Sequence, residues 1–210
     1  MNTSFTMLCV CAMILMAVGF LFARPILILF GASAEAIVYA YPYMMLYLIG
    51  TLPSMIAVGM NPFINAQGYS SIGMLSVAIG AGTNLVLDPL FIFALGLGVR
   101  GAAIATVISQ CISAALVVRC LVKETGPLRL DFRQLKIYPI KLKQIMQVGI
   151  PAGLQGVLFS LANVTVQSSI NSFDDTVLVA GSSASSSVEN FVYANVNAFY
   201  QANTAFTSQN

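Results

Sequence analysis

Six runs of mostly apolar residues divide this chain, and each is long enough to cross a lipid bilayer as a helix. The hydrocarbon core of a bilayer is about 30 Å thick, so a spanning helix needs about 20 apolar residues. Backbone amides in lipid have no water to pair with, which leaves helices as the natural way for such runs to cross. The predicted fold is therefore an all-α, polytopic membrane helical bundle. Its expected spans are roughly Phe5–Phe30, Ile37–Val58, Ser71–Leu95, Gly101–Val122, Val148–Phe173 and Val177–Thr207.

The second span could continue to Ala66 through two prolines, and the sixth span is the least hydrophobic of the set. Composition agrees with a membrane chain: 58% of residues are hydrophobic and 8% are charged, whereas soluble domains carry about 25% charged residues. The chain has no His, its four cysteines form no CxxC pair, and nucleotide-binding loops and nucleophile–base sets are absent from the sequence. We therefore predict a protein that is not an enzyme and has no cofactor, and whose energy comes from an ion gradient.

Basic residues are concentrated in one short region. Seven of the nine Lys and Arg residues fall between Arg119 and Lys143. Short basic loops between spans are retained in the cytoplasm, which explains this region better than nucleic-acid binding does. Residues 124–143 are thus predicted to be a cytoplasmic linker, with residues 141–147 lying in the membrane interface. The linker would separate four helices of a first lobe (1–123) from the first two helices of a second lobe (144–210).

Asp88 is a lone carboxylate within the third apolar run. An ionisable group at membrane depth costs about 3 kcal/mol on insertion scales, so it usually faces a cavity or a partner and serves a function. Asn84 lies one helical turn earlier on the same face, and Gly80 and Gly82 would allow a neighbouring helix to approach closely. Thr106, on the next helix, adds a hydroxyl.

Carboxylate, amide and hydroxyl oxygens suit Na⁺, and a desolvated Asp can equally carry a proton. Asn84, Asp88 and Thr106 are therefore the candidate site for cation or proton coupling, and the candidate ligands of Na⁺ if sodium is the ion. The alternative interpretation is structural: the carboxylate would only hold two helices together.

Polar stripes mark the later helices. Such stripes would line a wet cavity, although hydrogen bonding between helices would also explain them. The predicted residues that line the cavity and contact substrate are Gln110, Asn163, Gln167, Glu189, Tyr193 and Asn197.

Several spaced motifs resemble the multidrug and toxic compound extrusion (MATE) family. They are Asn65-Ala66-Gln67-Gly68, Asn84-x-x-x-Asp88, Gly98-x-x-Gly101-Ala102-Ala103-x-Ala105-Thr106-x-x-Ser109-Gln110, Gly149-x-Pro151 and Thr207-Ser208-Gln209-Asn210. The resemblance implies a two-lobed, twelve-helix transporter of which this chain matches helices three to eight. Asn84, Asp88 and Thr106 match the first-lobe cation site of the branch without an acid in the seventh helix. The family also uses an acid of the first helix, which has no counterpart here.

The resemblance also implies a function: antiport of Na⁺ or H⁺ against organic, often cationic, drugs or toxic compounds. The protein would be a multi-pass component of the plasma membrane (the bacterial inner membrane). Its partners would be membrane lipid, small organic substrates and the coupling cation, with no nucleic acid, and the full-length protein would be a monomer. Two alternatives stay open. One is a flippase for a lipid-linked saccharide, which would need a more cationic cavity than these helices offer; the other is an inactive truncated membrane protein. The choice between Na⁺ and H⁺ and the exported compound are also open.

Overall fold

A computed structural model describes residues 1–29, 34–124, 129–132, 135–171 and 176–209 of the 210-residue chain. These described parts are almost entirely helical and contain no strand, which confirms the all-α prediction. The elements in chain order are α1 (Asn2–Leu29), α2 (Ala34–Ile49), α3 (Thr51–Ala66), α4 (Ser70–Pro89), a π-helical turn (Leu90–Ala94), α5 (Val99–Lys123), α6 (Pro139–Asn171) and α7 (Thr176–Gln209).

Most of the predicted spans are helices of suitable length and composition. Within the described residues, four single helical stretches qualify, and α2 and α3 qualify together as a pair bent by 52°. Helix α7 is continuous over the sixth predicted span but does not reach the same apolarity, because serines 182, 183 and 185–187 dilute its apolar residues. The qualifying stretches are Asn2–Leu29, Ser70–Ala94, Val99–Lys123, Pro139–Ile170 and the pair Ile37–Ile49 with Thr51–Ala66.

The bend between α2 and α3 occurs at Gly50, a position that the apolar pattern did not single out. A Cβ atom at Gly50 would lie 2.9 Å from Cγ2 of Val107 in α5, so the bend brings the backbone against the neighbouring helix. Pro53 then occupies the first turn of α3, where its missing N–H has no helical partner to lose. The second predicted span is thus two helices that continue to Ala66.

The chain divides into two compact units, Met1–Tyr138 and Pro139–Asn210. The division falls inside the predicted linker. The second lobe was predicted to start at residue 144, but the helix that contains this residue begins earlier. Helix α6 begins at Pro139, a favourable residue for a first helical position. Residues 141–147, predicted to lie in the membrane interface, therefore belong to the same helix as the span that follows, and their location in the interface stays a prediction. Residues 125–128, 133 and 134 of the predicted linker lie outside the described residues.

Helix α5 is the centre of the first unit and packs against α2, α3 and α4. Small residues make this position possible, because Gly101, Ala103, Ala105, Ser109 and Ser113 are all buried on it. The hydrophobic core lies towards the end of the unit where α1 begins and α5 ends. It consists of Phe5, Met60, Ile64, Val117, Leu121 and Leu130, each at most 7% exposed.

Part of the basic linker is anchored to this core. Leu130 is 1% exposed, and its backbone N–H donates to the carbonyl of Leu121 at 2.9 Å. Asn2 and Asp131 exchange two side chain to backbone hydrogen bonds of 3.4 Å, and the rings of Phe5 and Phe132 meet edge to face at 5.7 Å. The segment 129–132 therefore packs onto the helices of the first unit, whereas a basic loop would be expected to be solvated along its length.

Candidate functional site

The three residues predicted for ion coupling lie together where α4 faces α5. The Nδ2 amide nitrogen of Asn84 donates to Oδ1 of Asp88 at 3.2 Å, within α4. The same nitrogen lies 3.5 Å from Oγ1 of Thr106 on α5, a long hydrogen bond between the two helices. All three side chains are half-buried. One amide group thus links the carboxylate to the neighbouring helix.

Close packing of α4 on α5 holds this arrangement in place. Gly73, Ser76 and Gly80 are the buried residues of α4. A Cβ atom at Gly80 would overlap the Oγ atom of Ser113, and that hydroxyl donates to the carbonyl of Ser76 at 3.1 Å. Gly80 therefore has the predicted role. Gly82 does not, because no atom of the described residues lies within 4 Å of the position of its Cβ atom; two residues along a helix point to nearly opposite sides.

A π-helical turn follows the carboxylate directly. Pro89 ends α4, and the N–H of Leu95 then bonds to the carbonyl of Leu90 at 3.0 Å, five residues back. The turn packs on Gly101, since a Cβ atom there would lie 2.7 Å from the carbonyl oxygen of Phe91. Single π-helical turns are frequent at functional sites because they interrupt the regular ladder of backbone bonds.

The hydrogen bonds at the site indicate which atoms could face a cation. Thr106 donates its hydroxyl proton to the carbonyl of Ala102 at 2.9 Å, so the lone pairs of its oxygen are left for Asn84 or an ion. The Asn84 amide, by contrast, presents its N–H₂ group to Asp88 and Thr106. An ion between these groups would need the amide turned over, with Oδ1 in place of Nδ2. The oxygen atoms of the three side chains can therefore face a monovalent cation together only after that reversal.

Tyr43 of α2 lies near the site, a neighbour that the sequence reasoning missed. It is close enough to Asp88 for the charge of the carboxylate to act on its hydroxyl, and its ring stacks on that of Tyr47 at 5.8 Å between centroids. The available signal was the spacing of these two tyrosines, which places both hydroxyls on one face of a helix in an apolar run.

The predicted cavity residues are divided between the two units. Gln110 lies one turn beyond Thr106 on α5 and is half-buried. Asn163 and Gln167 lie on α6, and the remaining three lie on α7: Glu189, Tyr193 and Asn197. Within the second unit Asn197 is half-buried and the other four are exposed. The cavity-lining role of these six residues stays a prediction.

Comparisons with known proteins agree in pointing to one family. The MatE family model matches residues 1–90. The multidrug export protein MepA of Staphylococcus haemolyticus (strain JCSC1435) is 29% identical over 135 residues, which are 64% of this chain and 30% of MepA. A protein named FAD transporter from Shewanella oneidensis is 29% identical over 204 residues, which are 93% of this chain and 44% of the relative.

The fold is similar to that of solved transporters as well. A crystal structure of a MATE protein in the bent conformation has a TM-score of 0.80 and 25% sequence identity, and the match covers 98% of this chain and 45% of that chain. The present chain therefore spans between 30% and 45% of the length of these three proteins.

Proposed function

We propose, from its similarity to the MatE family model and to multidrug export proteins, that this chain belongs to the MATE family of membrane transporters and forms part of a secondary antiporter. The antiporter exports organic, often cationic, compounds in exchange for Na⁺ or H⁺. Apart from the coupling ion, the proposed antiporter requires no cofactor. Residues 1–123 supply four helices of one lobe and residues 144–210 supply the first two helices of the other, with 124–143 between them. The full-length protein is a monomer in the plasma membrane, the inner membrane of a bacterium, and the cations of its linker keep that segment cytoplasmic.

The observation that carries this proposal is the link from Asp88 through Asn84 to Thr106. With Asp88 ionised, the Asn84 amide donates to the carboxylate and approaches Thr106. If Asp88 is protonated, its O–H becomes a donor and favours the oxygen of the amide; if Na⁺ binds, it also favours that oxygen. Either event reverses the amide.

Reversal of the amide removes the donor to Thr106 and so changes the contact between α4 and α5. The energy involved is modest, because a hydrogen bond between membrane helices contributes about 0.6–2 kcal/mol. Transporter lobes that exchange between two arrangements of similar free energy respond to changes of this size. Asp88 therefore couples binding of the ion to the movement of the lobes through the hydrogen bond between Asn84 and Thr106 of α5.

A substitution of Asp88 tests the proposal directly. Asp88→Asn, placed in the longest reading frame that contains this sequence, retains the shape of the side chain but cannot bind or release a proton. We expect gradient-driven efflux of a cationic dye to be lost, and Asp131→Asn, an acid of the linker, to leave efflux close to the unsubstituted level. Imposing either a Na⁺ gradient or a pH gradient identifies the ion. Unimpaired gradient-driven efflux in Asp88→Asn would remove Asp88 from the mechanism.

A second candidate substrate is flavin adenine dinucleotide. Its basis is the relative named FAD transporter, whose match extends over 93% of this chain and thus into both units. The two substrates differ in charge, since FAD is anionic and many exported drugs are cationic. Release of FAD into the medium by cells that express the protein, measured beside dye efflux from the same cells, distinguishes them.

A further inference from the structure

A cavity of about 350 Å³ opens at the end of the first unit where α4 begins and α5 ends. Helix α4 contributes Ile72 and the residue before its first turn, Tyr69; helix α5 contributes Leu116, Arg119 and Lys123. Ile72 is 16 residues from Asp88 on the same helix, which at 1.5 Å per residue is roughly 24 Å. The cavity is thus separate from the ion site, and the proposed transport function does not use it.

The charged groups of the cavity lie on one side of it. Arg119 and Lys123 are four residues apart on α5 and project from the same face, and both are exposed. Glu124 also lines the cavity, so the two cations leave an excess of one positive charge. The start of α4 adds a partial positive charge and the end of α5 a partial negative one, so the two helix ends roughly cancel and the excess comes from the side chains. The rim therefore favours a bound anion.

The remaining wall is apolar, and the helix faces that form it continue as apolar surface along α4 and α5 beyond the cavity. Ile72 is 45% exposed, and Leu116 is half-buried opposite it. Ile79, two turns further along α4, and Ile112, one turn back along α5, lie on the same faces as these two residues. Both helices are candidate membrane spans. A small soluble anion gains nothing from contact with this apolar surface, whereas a lipid has both a charged headgroup and an apolar chain.

We propose that this cavity binds an anionic phospholipid of the membrane leaflet at the linker end. The lipid phosphate contacts Arg119 and Lys123, and the first part of an acyl chain lies against Ile72 and Leu116. Cations near a membrane surface attract anionic lipids, and the long side chains of Arg and Lys can reach a headgroup while their stems stay on apolar surface. The proposal depends on the membrane location of α4 and α5 and is independent of ion coupling at Asp88.

Lipid binding to the purified protein tests the proposal. The protein in detergent is titrated with phosphatidylglycerol and, separately, with the zwitterionic phosphatidylcholine, and bound lipid is counted by native mass spectrometry. We expect phosphatidylglycerol to bind more tightly, and the double variant R119Q/K123Q to lose about fivefold in affinity for each cation removed. Arg100→Gln is the matched control, since Arg100 is an exposed cation at the opposite end of α5. It should bind phosphatidylglycerol as the unsubstituted protein does.

A second measurement separates a lipid from a soluble anion. Glycerol phosphate has the charge of the headgroup and no acyl chain, so we expect that it does not displace phosphatidylglycerol at equal concentration. Leu116→Asn should weaken lipid binding while Arg119 and Lys123 are unchanged, and circular dichroism checks that each variant is folded. Equal binding of the two lipids, unchanged binding by R119Q/K123Q, or displacement by glycerol phosphate would each overturn the proposal. None of these results depends on transport, so they do not affect the test of Asp88.

Discussion

At the scale of single residues, the site depends on which atom of Asn84 faces its neighbours. The amide bonds to both Asp88 and Thr106 through a single nitrogen. The sequence predicted that these three residues would meet, because i and i+4 positions share a face and a buried carboxylate needs a partner. It could not predict the direction of the amide, or the proximity of Tyr43, because both depend on how α2, α4 and α5 are packed.

Thr106→Val tests the contact between the helices. Valine has the shape of threonine without its oxygen, so the substitution removes the acceptor on α5 and one candidate ligand of the ion. We expect a loss of about 0.6 kcal/mol of stability and a higher ion concentration for half-maximal efflux. Thr83→Val is the matched control, because Thr83 also donates to the carbonyl four residues back, that of Ile79 at 2.8 Å. If both variants shift the ion dependence equally, Thr106 has no specific role.

At the scale of helices, close packing of α4 on α5 explains why the site has a fixed geometry. The prediction of small residues at this contact was right for Gly80 and wrong for Gly82, since glycine spacing alone does not show which face meets a neighbour. The bend at Gly50 and the anchoring of Leu130 were missed for related reasons. The bend at Gly50 depends on contact with Val107. The basic residues around the buried Leu130 predicted a cytoplasmic linker without showing that part of it packs on the helices.

Gly80→Ala should separate α4 from α5. Its new methyl group would displace the Ser113 hydroxyl from the carbonyl of Ser76, and such overpacking costs about 1–3 kcal/mol. Gly82→Ala adds the same methyl group into open space, and helix propensity favours it by about 1 kcal/mol. Thermal unfolding in detergent should therefore rank Gly82→Ala at or above the unsubstituted protein and Gly80→Ala below it. The double variant G80A/S113A should recover part of the loss, and no recovery would mean that Ser113 is not the obstacle.

Leu130→Ala should loosen the linker from the first unit. A fully buried leucine contributes about 2–5 kcal/mol relative to alanine, and Leu130 is held by the carbonyl of Leu121 as well. We expect faster tryptic cleavage after Arg129 and a lower unfolding temperature. Leu135→Ala is the control within the same linker, since Leu135 is 37% exposed. Equal cleavage of the two variants would contradict the anchoring of this segment.

At the scale of the whole molecule, the sequence predicted two lobes joined by a basic linker, and the chain divides into two units within that linker. The signal for that prediction was the change of charge and of apolar length within the linker, and the assignment of the units to two lobes stays a prediction. The exact start of α6 could not be predicted, because basic residues such as Lys141 and Lys143 suit a helix as well as a loop. Periodicity identifies the polar face of α7 but does not show what that face contacts, so it cannot establish a substrate cavity there.

Glu189→Gln tests whether that polar face contacts substrate. Glu189 is the one acid among the predicted cavity residues, and in a water-filled cavity of low dielectric surroundings its charge would attract a cationic compound and act little on a neutral one. We therefore expect Glu189→Gln to reduce efflux of a cationic dye about tenfold, the equivalent of about 1.4 kcal/mol, with efflux of a neutral compound nearly unchanged. Glu189→Asp retains the charge and should restore most of the cationic efflux. An equal reduction for both compounds would instead indicate that Glu189 supports the packing of the helices, because a structural fault does not distinguish substrates by charge.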